Sequence, residues 1–298
     1  MSAEKKKTVS LVLGSGGARG LAHIGVIHEL EKMNYEIRSI SGCSMGALIG
    51  GVYAAGKLAD FERWVSAITR LDIVSLLDLS WGKEGLVKGD KIINRLVDIV
   101  GDKTNEELPI SYTAVAADVA NEKEVWINSG RLFDAIRASI SLPLFFTPVE
   151  YKQSYLIDGG VLNPVPIAPT FNDDTDITIA VNLGGSLEFA DKKVKVNEDS
   201  TKKRSPLQKR ISRFVDEMKQ SVESSTSKNW AVYDVANQAF DAMQGTIARQ
   251  KLAAYPPDIV IEIARNACGT LEFDRAVEMI ELGRTRARTC LGQDRGAR

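Results

Sequence analysis

A serine occurs in the sequence Gly42-Cys43-Ser44-Met45-Gly46, which has the spacing G-x-S-x-G. The apolar run before it ends near Ile40 and a helical pattern starts near Met45, so the pattern predicts a sharp turn between a strand and a helix. Such a turn projects the serine hydroxyl at the edge of a sheet, where the amides of the helix N-terminus favour negative charge. Ser44 is therefore predicted to be a nucleophile for acyl transfer, and the alternative is a glycine turn in which Ser44 only caps the helix.

Histidine is the usual base for a serine nucleophile, but the chain has only His23 and His28, both before Ser44. The order serine, acid, histidine of the α/β-hydrolases cannot occur, and we expect both histidines to be structural. A carboxylate remains as the proton acceptor. Asp158 follows a short strand and precedes Gly159-Gly160, which allow close approach to another loop. We predict Asp158 as the base, although a plain Asp-Gly turn gives the same pattern.

A second glycine loop, Gly14-Ser15-Gly16-Gly17-Ala18-Arg19-Gly20, follows the first predicted strand and opens a helix. It does not fit the dinucleotide fingerprint, because Arg19 stands at the third glycine position and no acidic residue ends the second strand. A nicotinamide-dependent oxidoreductase is therefore disfavoured. The bare amides of the loop are predicted to form an oxyanion hole. For Arg19 three roles stay open: orienting the loop, contacting an anionic head group, or lying at the surface.

The elements that carry these loops alternate between strands and helices, which predicts an α/β fold with a mainly parallel central sheet. The predicted strands are Thr8–Leu13, Ile37–Ile40, Tyr112–Ala116, Glu124–Ile127, Ser154–Ile157, Ile177–Val181 and Ile259–Ile263. Besides the helices after each glycine loop, the predicted helices are Lys91–Ile99, Leu132–Ile140, Trp230–Leu252 and Leu271–Cys290. We expect one domain over residues 1–298, in which 229–298 complete the domain with helices and one strand.

Composition and charge limit the classes of partner. The 298 residues carry a net charge of −1 and a hydrophobic fraction of 44%, so neither nucleic acid nor a membrane attracts the chain as a whole. The chain has three cysteines, Cys43, Cys268 and Cys290. They are too few for a disulfide framework, which favours a reduced, cytoplasmic setting. No metal or cofactor is expected.

The stretch 191–228 differs from the rest, with eleven Lys or Arg, six Asp or Glu and few apolar residues. Such a segment buries little apolar surface, which predicts a flexible or lid-like insertion. Its basic residues leave room for an anionic membrane surface as a partner, with peripheral attachment at the inner membrane face. A homo-oligomer is also compatible with the sequence.

These motifs in this order resemble the patatin-like phospholipases, over roughly residues 8–182, and most closely small bacterial members similar to the catalytic domain of neuropathy target esterase. The resemblance is carried by Gly16 to Gly20, Gly42 to Gly46, a third block Ala138-Ser139-Ile140-Ser141-Leu142-Pro143, and Asp158-Gly159-Gly160. The third block is expected to be structural. Two residues depart from the family pattern: Ser15 replaces a glycine, and Cys43 stands where threonine is frequent.

The resemblance implies a three-layer α/β/α patatin-like fold and a serine–aspartate dyad that cleaves fatty acyl esters. Ser44 corresponds to the nucleophile, Asp158 to the base, and the amides of Gly16, Gly17 and Ala18 to the oxyanion hole. The supporting motif residues are Gly14, Arg19, Gly20, Gly42, Gly46, Gly159 and Gly160. The expected function is hydrolysis of (lyso)phospholipids or related lipids. The alternatives are a transacylase or thioesterase with the same dyad, and a regulatory protein that binds acyl lipids without turnover.

Overall fold

The computed structural model describes residues 6–76, 87–143, 145–188, 235 and 238–296. The chain divides into two compact units. The first contains residues 1–188 and 243–298, and the second contains 189–242, of which only 235 and 238–242 are described. The predicted insertion at 191–228 lies outside the described residues.

Eight strands form one mixed sheet among the described residues. They are β1 (Lys7–Leu13), β2 (Tyr35–Cys43), β3 (Ser111–Asp118), β4 (Lys123–Ile127), β5 (Val149–Tyr151), β6 (Ser154–Asp158), β7 (Ile177–Gly185) and β8 (Ile259–Ala264). Their order is β5-β6-β3-β2-β1-β7-β8, and β4 also pairs with β3. Strands β3, β2, β1, β7 and β8 are parallel, whereas β4 and β6 run antiparallel to β3, and β5 antiparallel to β6. The predicted mainly parallel sheet is thus confirmed.

Helices connect and cover the strands. They are α1 (Ala22–Lys32), α2 (Met45–Ala54), α3 (Leu58–Ala67), α4 (Arg70–Leu76), α5 (Asp90–Val100), α6 (Leu132–Ser139), α7 (residues 238–254) and α8 (Ala276–Gly296). The sequence patterns missed α3, α4 and the three-residue strand β5. They also started the last helix at Leu271, where a 3-10 turn at Phe273–Arg275 comes first.

The sheet is covered on both faces because β1 alternates its side chains between two cores. Leu11 and Leu13 pack into the main core with the helix α1, which contributes Ile24 and Ile27. Val12 points to the opposite face, where Ala180 and Ala248 join it in a second cluster with Val165 and Ile167. Ala248 belongs to α7. The result is the three-layer arrangement of helices, sheet and helices.

Glycines let α1 and α8 touch at their backbones. A Cβ atom on Gly25 would lie 1.9 Å from the carbonyl oxygen of Ile280, and one on Gly283 would lie 2.0 Å from that of Ala22. Larger residues at either position would therefore separate the two helices. Among the described residues, no helix is both long enough and apolar enough to cross a membrane.

The strand register brings the ends of β2 and β6 to the same height. Strand β3 lies between them, pairing Val115 with Cys43 of β2 and Ala116 with Asp158 of β6. Because Ser44 follows Cys43 directly, the two predicted dyad residues emerge at one edge of the sheet, separated by a single strand.

Candidate active site

Ser44 occupies a strained turn between β2 and α2. Its backbone angles are φ 55° and ψ −124°, a conformation that costs a non-glycine residue about 1–3 kcal/mol. The flanking glycines are required by contact: a Cβ on Gly42 would lie 2.5 Å from the carbonyl oxygen of Gly46, and a Cβ on Gly46 would lie 2.0 Å from that of Leu13. The sequence Gly42 to Gly46 therefore forms a sharp turn between strand and helix, the backbone geometry of a nucleophile elbow.

Asp158 ends β6 and meets the serine hydroxyl directly. Ser44 Oγ donates a hydrogen bond of 2.5 Å to Oδ2 of Asp158, and both side chains are buried. The amide of Gly160 donates to Oδ1 at 2.8 Å, which fixes the carboxylate from its other side. Gly159 must be a glycine, because its Cβ would lie 2.1 Å from the carbonyl oxygen of Val115. The Asp-Gly-Gly sequence thus lets the loop fold against β3.

Burial makes Asp158 a better base than an exposed aspartate. Desolvation raises the pKa of its carboxyl from 3.8 to about 6, while the hydrogen bonds from Ser44, Gly160 and Cys43 act in the opposite direction. At neutral pH the group is therefore ionised and close to the pKa at which it can both accept and return a proton.

Cys43, the residue before Ser44, has a buried thiol. Its Sγ donates to Oδ1 of Asp158 at 3.9 Å. Burial, followed by the charge of Asp158, raises its pKa well above the usual range. A thiolate is the reactive form of cysteine, so the raised pKa disfavours Cys43 as a nucleophile.

The glycine loop presents two amides with no hydrogen-bond partner among the described residues, those of Gly16 and Gly17. The neighbouring amides are engaged: Gly14 donates to Val181 O at 3.0 Å, Ser15 to Pro164 O at 2.8 Å, and Ala18 to Thr270 O at 2.8 Å. Gly17 lines the same cavity as Ser44. Its φ of 57°, and the 2.5 Å from its Cβ position to Thr270 O, both require glycine.

Arg19 is buried and holds this loop by its guanidinium. Nε donates to the carbonyl oxygen of Gly16 at 3.1 Å, and Nη1 donates to the carbonyl oxygen of Arg265 at 2.5 Å. Of the three roles left open, these contacts favour orientation of the loop. Since C=O and N–H point in opposite directions across a trans peptide, fixing the oxygen of Gly16 also aims the amide of Gly17.

Ser15 and Gly20 adapt the loop to its surroundings. The hydroxyl of Ser15, which departs from the family pattern, accepts a hydrogen bond of 3.2 Å from Nε2 of Gln244. Gly20 packs against the start of α2, where its Cβ would lie 2.3 Å from Cβ of Met45. The loop is thereby fitted against the elbow that carries Ser44.

In the part of the chain that the structure describes, neither histidine is hydrogen-bonded to Ser44 or Asp158. His23 is fully buried, and its Nε2 lies 2.9 Å from the carbonyl oxygen of Gly14; burial lowers its pKa to about 4. His28 contacts Glu62 instead, with 2.6 Å between Nε2 and Oε2. Among the described residues, no group of three His, Cys, Asp or Glu side chains could hold a metal ion.

An apolar cavity opens beside Ser44. It spans about 970 Å³, a volume that includes open solvent at its mouth, and helices α2, α3, α4 and α5 and the segment after α6 contribute its walls. Residues that line it include Leu48, Phe61, Trp64, Leu96, Ile140 and Phe146. Such a cavity suits an alkyl chain better than a polar ligand.

Sequence reasoning missed the cavity, a hydrogen-bond partner of the glycine loop and a hydrogen-bond partner of Ser44. The apolar stripe of α3 is as typical of a core helix as of a binding wall, so it carried no separate signal. Thr270, which engages the amide of Ala18, lies 252 residues away in the chain. The sequence predicts a structural block at Ser139, and the structure shows that its hydroxyl accepts a hydrogen bond of 2.9 Å from the amide of Ser44.

Comparison with known proteins gives consistent matches. The family profile described as patatin-like phospholipase matches residues 11–171. Uncharacterized NTE family proteins of Mycobacterium bovis and Mycobacterium tuberculosis are 38% identical, over 95% of this chain and 91% of theirs. Lysophospholipase NTE1 of Debaryomyces hansenii is 32% identical over 60% of this chain and 12% of its own. The crystal structure of VipD from Legionella pneumophila aligns with a TM-score of 0.47 and 14% identity, covering 98% of this chain and 68% of that one.

Proposed function

Because this chain belongs to the patatin-like phospholipase family, we propose that it is a serine acyl hydrolase that cleaves fatty acyl esters of (lyso)phospholipids or related lipids. The observation that carries the proposal is the 2.5 Å hydrogen bond from Ser44 Oγ to Asp158 Oδ2 beside an apolar cavity. Relatives named lysophospholipases support the lipid substrate. The enzyme class is therefore a carboxylic ester hydrolase.

The first half-reaction transfers the acyl group to Ser44. Its Oγ bonds to the carbonyl carbon of the ester while the hydroxyl proton moves to Oδ2 of Asp158. The oxyanion accepts hydrogen bonds from the amides of Gly16 and Gly17. In a serine protease, one such donor stabilises the transition state by about 2.7–4 kcal/mol. When the intermediate collapses, the bond to the alcohol oxygen breaks, and that oxygen takes the proton from Asp158.

The second half-reaction repeats these steps with water. Asp158 accepts a proton from the water as its oxygen attacks the acyl carbon, and Ser44 Oγ leaves with that proton. Ala18, the third expected donor of the oxyanion hole, would have to release Thr270 O before its amide could take part. We therefore assign the hole to Gly16 and Gly17.

The apolar cavity supports a preference for long acyl chains. Burying one methylene group contributes about 0.8 kcal/mol, so a chain that reaches along the walls binds far better than an acetyl group. The polar alcohol part of the substrate stays toward the mouth. An anionic membrane would supply such substrates, and the basic stretch 191–228 supports attraction to it at about 1 kcal/mol per basic residue near the surface.

The experiment is a turnover assay with p-nitrophenyl butyrate, p-nitrophenyl palmitate and a lysophospholipid. Ser44→Ala should abolish hydrolysis, and a fluorophosphonate probe should label Ser44 in the parent enzyme. Ser41→Ala is the matched control: this serine precedes the elbow on β2, is equally buried, and its Oγ has no hydrogen-bond partner among the described residues. It should keep the parent's activity. Hydrolysis or labelling that persists in Ser44→Ala would refute the proposal.

A further inference from the structure

The turn at the end of α6 contacts the backbone of both dyad residues. Ser139 Oγ accepts the amide hydrogen of Ser44 at 2.9 Å, and two residues later the carbonyl oxygen of Ser141 accepts the amide hydrogen of Asp158 at 2.9 Å. The mechanism above makes no use of these bonds. They nevertheless join a third loop to the elbow and to the aspartate.

The hydroxyl of Ser139 both accepts and donates a hydrogen bond. It accepts from Ser44 and donates to the carbonyl oxygen of Val115 at 2.6 Å, and the side chain is completely buried. Val115 O is the atom against which Gly159 packs. One hydroxyl therefore ties the elbow to the strand on which the Asp158 loop rests. Serine and threonine can accept and donate at once, but alanine can do neither.

The strained conformation of Ser44 gives this bond its importance. A residue with φ of 55° and ψ of −124° reverts to an ordinary conformation unless its surroundings hold it. Ser44 is held at its side chain by Asp158, at its carbonyl oxygen by the amide of Leu48, and at its amide by Ser139. Only the last of these involves neither the reacting hydroxyl nor the helix that follows.

We propose that Ser139 is a positioning residue, which holds Ser44 in the conformation that aims its hydroxyl at Asp158. The inference rests on the proposed function and extends it to a residue outside the dyad and the oxyanion hole. Ser139 touches no reacting atom. It acts through the amide of Ser44 on the distance between Ser44 Oγ and Asp158 Oδ2.

The test compares Ser139→Ala with Ser141→Ala, two deletions of a fully buried hydroxyl on the same turn. Ser141 contacts Asp158 through its carbonyl oxygen, which alanine retains, whereas its hydroxyl bonds to Arg137. We expect Ser139→Ala to lower kcat about 10- to 100-fold with KM within about twofold. Ser141→Ala should lower kcat less than about threefold, and Ser139→Thr, which restores the hydroxyl, should recover most of the loss.

The pH profile separates positioning from a general packing defect. The hydrogen bond from Ser44 lowers the pKa of Asp158, so its loss should move the acidic limb of kcat to higher pH in Ser139→Ala. A packing defect would reduce the amplitude and leave the limb where it is. Melting temperatures of all three variants show how much protein is folded.

The outcomes distinguish this inference from the proposed function. If Ser44 is the labelled nucleophile but folded Ser139→Ala has the parent's kcat and pH limb, the positioning role is wrong and the dyad stands. A folded Ser139→Thr enzyme as slow as Ser139→Ala would also overturn it, and if threonine prevents folding, the pH limb of Ser139→Ala decides. If Ser44 is neither labelled nor required, the proposed function fails first, together with the inference that rests on it.

Discussion

The glycines around Ser44 and Asp158 pack against backbone atoms, whereas the cavity beside Ser44 is lined by side chains from helices and loops. At the dyad, a single added methyl group on Gly42, Gly46 or Gly159 would lie 2.0–2.5 Å from a carbonyl oxygen. In the cavity, apolar side chains such as Trp64 and Ile92 are only partly buried. Backbone contacts cannot adapt, but apolar side chains can repack.

The difference suits the role that we propose for each region. Proton transfer from Ser44 to Asp158 requires heavy atoms within hydrogen-bond distance, so small displacements are costly. Binding an alkyl chain requires only apolar area, which many arrangements supply. The segment after α6 joins the two regions, because Ser139 and Ser141 bond to the dyad loops while Ile140 and Leu142 line the cavity.

The largest expected effect is the loss of the base. Asp158→Asn keeps the shape of the side chain but cannot accept the serine proton, so kcat should fall about 10⁴-fold, the loss known for disabled triads. The double variant Ser44→Ala, Asp158→Asn should be barely slower than either single variant, since the two residues act as one unit. Kinetics with p-nitrophenyl butyrate would measure this, and additive losses would contradict a dyad.

A smaller effect is expected from an added methyl group at the elbow. Gly46→Ala places Cβ 2.0 Å from Leu13 O, and a displacement near 1 Å costs about 100-fold in kcat/KM. Gly292→Ala in α8 is the control, because no atom outside its own helix and chain neighbours lies within 4 Å of its Cβ position and alanine favours a helix. If Gly46→Ala retains kcat/KM within about threefold while folded, the elbow is less rigid than the contacts imply.

The cavity should respond selectively and more weakly. The larger side chain in Ile92→Trp fills part of the cavity. The kcat/KM for the palmitate ester should therefore fall about 10-fold, while the kcat/KM for the butyrate ester should change less than about twofold. Ile93→Trp is the control, because Ile93 is also half-buried on α5 and packs against the core, as Ile92 does, but it does not line the cavity. Equal losses for both esters would mean that this cavity does not hold the acyl chain.

The fold class and the positions of the two glycine-flanked turns were predictable from the sequence, because glycines stand where the backbone leaves no space for a Cβ atom. The family and the α/β fold are confirmed, and the elbow and the Asp-Gly-Gly turn lie where their motifs predicted. Local patterns could not reveal partners distant in the chain. The amide of Ala18 donates a hydrogen bond to the carbonyl oxygen of Thr270. The hydroxyl of Ser139 accepts one from the amide of Ser44, which lies 95 residues earlier in the chain. The three-residue strand β5 was too short for an alternating pattern to identify it.

A separate effect concerns stability instead of rate. The pKa of Asp158 is about 6 in the folded chain and near 3.8 otherwise, so the folded state binds its proton more tightly. Stability therefore falls as pH rises from about 4 to about 6, and the full penalty, roughly 3 kcal/mol, applies above pH 6. Asp158→Asn should melt at a higher temperature than the parent at pH 8, and the difference should vanish at pH 4. An equal difference at both pH values would place the pKa elsewhere.

The rate at which a fluorophosphonate probe labels Ser44, followed against pH, tests the central claim most directly. It reports activation of the serine without depending on the natural substrate. We predict a limb near pH 6 in the parent, the same limb and rate in His23→Ala, and a rate about 10⁴-fold lower in Asp158→Asn. His23 is the informative control because it is buried beside the glycine loop with a pKa of about 4. If folded His23→Ala loses as much labelling as Asp158→Asn, an imidazole activates the serine and the dyad is wrong.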